Sequence, residues 1–235
     1  MLEIGYVLLS LIMTKIILFG YNYGLKKTGK QLKIRRKRVL VLGLGLCIWF
    51  VYILLIASSG FLQDFSLPPR FPIFLIFPAF IFTGVVLYKY RNSEVLTAIP
   101  KSWAVYYQTF RIVIESLFVG SVAAGLLHPE VTFEGYNYDI IFGFSAPVVG
   151  FMVFNRNIWS SKVALYWNYF GLAVISFIIF LFITTIFIPS FWGETESLAP
   201  LEIMTFPFVL VPAFLMPSAV FMHIMSIIQL TRPKQ

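Results

Sequence analysis

The sequence predicts an all-α fold: a polytopic membrane protein, a seven-transmembrane-helix bundle with its N-terminus outside and its C-terminus cytoplasmic. Three observations lead there. Of 235 residues, 59% are hydrophobic and only 12% are charged, about half the quarter share typical of a soluble domain. Apolar runs of about twenty residues recur along the chain, the length a helix needs to cross a hydrocarbon layer about 30 Å thick. Finally, Lys and Arg are concentrated in alternate connections between those runs. An outer-membrane barrel would instead alternate apolar and polar residues in segments of roughly ten, and that alternation is absent.

The first segment, about residues 3–22, lies in MLEIGYVLLSLIMTKIILFGY. It lacks a basic leader and a small-residue cleavage site, so it is expected to stay as a span. The second, 39–60, carries the small residues of GLGLG, which permit close helix approach. It also holds the lone Cys47 in GLCIWF, read as a small packing residue. The third, 71–90, is a further run of spanning length. The fourth, 103–127, contains YYQTFRIVIESLF, and the sixth, 163–188, contains LYWNYFG. The fifth, 139–155, has 17 residues and sits at the lower limit for a span. The seventh, 204–230, includes MTFPFVLVPAFLMPSAVF, with Pro207, Pro212 and Pro217 five residues apart. Each proline frees the carbonyl four residues earlier, and irregular backbone at such depth lines protein or water. The connections are short, so residues 1–235 read as one domain with no linker and no repeat relating its halves.

Orientation follows from charge. The first loop, KKTGKQLKIRRKR, holds eight of the eighteen basic residues. Lys89, Arg91 and Lys101 fall in the third connection, Arg156 and Lys162 in the fifth, and Arg232 and Lys234 in the tail. These fifteen share one face, which the positive-inside rule makes cytoplasmic. Only Arg70 lies opposite, with Glu3, Asp64, Glu130, Glu134, Asp139, Glu194, Glu196 and Glu202. The net charge of +8 is therefore a topology signal and not a nucleic-acid footprint. The expected partners are membrane lipids, with anionic headgroups at the basic loop 26–38, where each cation contributes about 1 kcal/mol.

Polar residues inside the spans carry the functional reading. Gln108, Arg111 and Glu115 are separated by three and then four residues, so a helix places them on one face. Both charges lie deep in the hydrocarbon, where each would cost about 3 kcal/mol or more unpaired. An ion pair between Arg111 and Glu115, turned into the bundle, is the simplest relief. Asn168 and His223 enter from other spans at similar depth, as does Lys15, and are expected to join them. Gln108, Arg111, Glu115, Asn168 and His223 are thus the candidate ligand-binding set, in a protein that binds or transports a small molecule or ion.

A second constellation, LLHPEVTFEGYNYDIIFGFSAP, gathers His128, Glu130, Glu134 and Asp139 on the outer face. They fit no familiar ligand spacing. Three carboxylates and an imidazole can nonetheless hold a divalent cation or serve a membrane-embedded enzyme acting on a lipid or isoprenoid. Asp139 is also expected to cap the fifth helix. A third reading is a seven-helix sensory or scaffold subunit contacting a cytoplasmic partner through its basic loop. No phosphate loop, HExxH or nucleophile elbow is present, and the last span has no lysine for retinal, so no cofactor is expected.

The stretches TFRIVIE, TFEGYNYDIIFGFSAP and FPFVLVPAFLMPSAVFMH resemble a widespread, uncharacterised family of bacterial multi-pass membrane proteins. The resemblance covers the C-terminal half. It implies a bacterial cytoplasmic membrane and no particular chemistry.

Overall fold

In the computed structural model, residues 1–64, 68–193, 195, 197–198, 200–232 are described. Glu194, Glu196 and Lys234, used above to assign faces, lie outside them. No strand occurs among these residues. The long helices are α1 (Leu2–Lys27), α2 (Leu32–Ser58), α3 (Phe77–Tyr90), α6 (Phe110–Ala123), α7 (Asp139–Gly150), α8 (Ser161–Phe187) and α9 (Met216–Thr231), with the short α4 (Glu94–Ala98) and α5 (Lys101–Tyr107) between α3 and α6.

Five helices are long and apolar enough to cross a membrane: Leu2–Lys27, Leu32–Ser58, Pro72–Tyr90, Ser161–Phe187 and Val211–Thr231. The seventh begins later than the expected 204, because residues 201–204 form a 3-10 turn and the helical run starts at Val211; the other two expected spans differ further. Residues 103–127 do not form one helix, because the chain turns tightly at Gln108–Thr109 between α5 and α6. Residues 139–155 form α7 continued by a π turn, Phe151–Asn155. The expected basic loop 26–38 is mostly helical as well. Lys and Arg are good helix formers, so α1 and α2 run into it until only residues 28–31 remain as a turn, with Gly29 at φ 70°, a conformation glycine adopts without penalty.

Much of the surface is apolar, and a set of polar groups is buried within the apolar interior. Ile4, Leu8, Leu44, Ile48, Phe82 and Phe170 are among many large exposed hydrophobics, whereas Gln108, Arg111, Glu115, Asn168, His223 and Ser226 are buried. So much exposed apolar surface departs from a water-soluble domain and suits helices surrounded by lipid. Helix α9 packs against α8, α5 and α3, and 61% of its span is buried against 6% for α2. It is the hub of the bundle, and α2 the periphery.

The prolines explain how α2 is attached. Both Pro78 and Pro217 follow a π turn, Pro72–Ile76 and Val211–Leu215, where the widened coil makes room for the ring. Each frees the carbonyl four residues earlier. Two neighbouring aromatic side chains of α2 answer them: Trp49 Nε1 donates to Ala213 O at 3.0 Å, and the Tyr52 hydroxyl donates to Phe74 O at 2.6 Å. The two rings stack with centroids 5.1 Å apart. Hydrocarbon offers no water as a substitute donor, so Trp49→Phe is expected to lower stability by about 1–3 kcal/mol. Thermal unfolding in detergent, compared with Trp103→Phe as a control, measures this.

Candidate functional site

The site starts at the break between α5 and α6. Hydrogen bonds there span three residues: Gln108 N to Val105 O and Arg111 N to Gln108 O, both at 3.1 Å. Such tight turns inside a helical run place side chains that a regular helix would not. Here they direct Gln108 and Arg111 at α9, where Gln108 Nε2 donates to Ala219 O at 3.0 Å. That bond sets the amide orientation and leaves Gln108 Oε1 to accept from Arg111 Nε at 3.1 Å.

Arg111 is 1% exposed and every side of its guanidinium is engaged. Nη1 donates to Asp139 Oδ1 at 2.6 Å, Nη2 meets His223 Nε2 at 3.0 Å, and the Phe142 ring lies 5.5 Å away. A guanidinium only donates, so His223 Nε2 must accept, and the ring is neutral with its proton on Nδ1. Nδ1 then donates to Asn168 Oδ1 at 2.8 Å. Asn168 Nδ2 passes the chain on to Ala164 O at 2.6 Å and Ser226 Oγ at 2.9 Å. Every orientation in this network agrees with its neighbours. Gly171 on α8 admits the imidazole, since a Cβ there would stand 2.4 Å from His223 Cε1.

The expected Arg111–Glu115 ion pair is replaced by Arg111–Asp139, at 2.6 Å. Arg111 Nε is taken by Gln108 Oε1 one turn earlier, and Glu115 is taken by Asn137. A cation placed N-terminal to its anion is also the weaker order for such a pair. The first turn of α7 brings Asp139 instead. Glu115, 0% exposed, is held by Asn137, whose Nδ2 donates to Glu115 Oε1 at 2.7 Å and to Val131 O at 3.0 Å. Asn137 Oδ1 accepts from Asp139 N at 2.9 Å, so one asparagine ties both carboxylate residues together. Glu115 Oε2 has no hydrogen-bond partner among the described residues.

The outer-face constellation does not assemble. Asp139 turns inward to Arg111, His128 Nδ1 accepts from Glu130 N at 3.4 Å, and Glu134 is exposed. No group of three or more His, Cys, Asp or Glu among the described residues is placed to hold a metal ion. Nor does Asp139 cap α7: it is the first residue of the helix, after Tyr138, and Asn137 binds its N–H. Lys15 is exposed on α1 and does not join the buried network.

Asn137 and Ser226 belong to the network without having been singled out in the sequence. Asn137 was legible in principle, as an asparagine two residues ahead of a helix start is a familiar Asx turn. Ser226 was not, being one hydroxyl in an apolar run.

Beside the pair lies a cavity of about 30 Å³, lined by Arg111, Asn137 and Asp139 at one end and by Phe118, Ile178 and Leu215 among the apolar walls. Its volume is enough for a water or two, or a small ion. Comparisons with protein-family models, curated proteins and solved structures give no match for this chain.

Proposed function

We propose that the protein is a seven-span protein of a bacterial cytoplasmic membrane that binds, and on opening passes, an ion or a very small polar molecule at the Arg111 cluster. The observation that carries this is the Arg111–Asp139 pair, buried at 2.6 Å next to a polar-ended cavity. Ionisable groups at such depth mark ion and substrate paths, and about 30 Å³ suits an ion or water better than an organic molecule. The broken α5–α6 run and α7 with its π turn serve as the remaining two spans. The basic hairpin between α1 and α2 supports an external N-terminus and a cytoplasmic C-terminus, with anionic headgroups at residues 26–38.

The test is flux across vesicles of phosphatidylethanolamine and phosphatidylglycerol containing the purified chain, loaded in turn with sodium, potassium, chloride and phosphate. At least one gradient is expected to collapse faster than in protein-free vesicles. Arg111→Gln should abolish the difference, and the exchange Arg111→Asp with Asp139→Arg should fail to restore it. Flux equal to that of protein-free vesicles for all four ions, or flux indifferent to Arg111→Gln, overturns the reading.

A further inference from the structure

Charge accounting at the cluster leaves one carboxylate over. Arg111 brings a positive charge and Asp139 meets it at 2.6 Å. His223 is neutral by the geometry of its two nitrogens. Glu115 remains, wholly buried and in no ion pair among the described residues. The groups around it are Tyr6 on α1, whose hydroxyl is bonded to Ser121 at 2.7 Å, then Arg111, Asp139 and Asn137. The Phe133 backbone lies near the same carboxylate, and Oε2 has no hydrogen-bond partner among the described residues. A bare carboxylate with an orphaned oxygen, removed from water, is strongly disfavoured. The place asks for one positive charge.

We infer that Glu115 Oε2 binds a single monovalent cation, a proton or an alkali metal ion, and that its occupancy bears on the Arg111–Asp139 pair. The inference rests on the ion-handling reading and gives that site a coupling ion. The route between them is short. Glu115 Oε1 holds Asn137 Nδ2 at 2.7 Å, Asn137 Oδ1 holds Asp139 N at 2.9 Å, and Asp139 Oδ1 holds Arg111 Nη1 at 2.6 Å. A cation on Oε2 weakens the pull of the carboxylate on Asn137. Asn137 in turn positions the residue that neutralises Arg111.

The experiment is infrared spectroscopy of the purified full chain in neutral buffer, with thermal unfolding, in choline chloride and then in sodium or potassium chloride at equal ionic strength. A proton on Oε2 gives the carbonyl stretch of a neutral carboxylic acid, unchanged by sodium or potassium, removed by Glu115→Gln and shifted by Glu115→Asp. An alkali ion instead raises the midpoint of the wild type in sodium or potassium but not that of Glu115→Gln. If the Gln variant fails to fold, Glu115→Asp and the wild-type salt series still decide. Absence of both the acid band and any salt-specific shift overturns the inference. In that event Arg111-dependent flux in vesicles would still stand, so the two failures are separable.

Discussion

Replacing Asp139 by alanine is expected to destabilise the protein by about 3–5 kcal/mol, because it leaves Arg111 charged, buried and without a counter-ion. Arg111 is 1% exposed, so bulk water cannot take the place of the lost carboxylate. The double variant Arg111→Met with Asp139→Leu removes both charges and should recover most of that loss, since well-packed apolar residues replace buried ion pairs at little or no cost. Glu115→Ala breaks no ion pair, and its coupling to Arg111→Met, relayed through Asn137 and Asp139, should be smaller than that between Arg111 and Asp139. Unfolding in detergent, read as a double-mutant cycle, checks all of this. A coupling energy larger for Arg111 with Glu115 than for Arg111 with Asp139 would show that the pairing is misassigned.

The second large effect is expected at Gly171. A side chain there meets His223 Cε1 at 2.4 Å, and the imidazole has no room to retreat while Arg111 and Asn168 hold its two nitrogens at 3.0 and 2.8 Å. Gly171→Val should therefore destabilise by about 3 kcal/mol, the upper range for overpacking a close-packed interior. It should also abolish Arg111-dependent flux by turning His223 off the guanidinium. His223→Ala in the Gly171→Val background relieves the clash and should return part of the stability but none of the flux. Recovery of flux in that double variant would show that His223 has no part in the site.

The two effects share a cause that bears on how such a site is encoded. Depth could be read along the chain. Gln108, Arg111, Asn168 and His223 were each expected inside a span, and all of them meet in one network. Partner choice could not be read. Arg111 and Glu115 four residues apart suggest a pair, but Gln108 and Asn137 engage the two side chains, and the first turn of α7 supplies Asp139. The same holds for the prolines, whose freed carbonyls follow from chemistry, whereas Trp49 and Tyr52 as their donors follow only from the docking of α2.

What the sequence by itself determined is the building material: helices, apolar surfaces long enough to cross a membrane, and ionisable groups buried in the interior. These depend on composition and on spacing along one strand of chain, which hydrophobicity and helical period convert directly into burial. Tertiary structure alone decided which charges meet, that α5 and α6 are two helices, and that the acidic stretch before α7 gives up Asp139 to the interior. Those outcomes depend on side chains more than twenty residues apart, and contacts across such separations are set by packing, not by period.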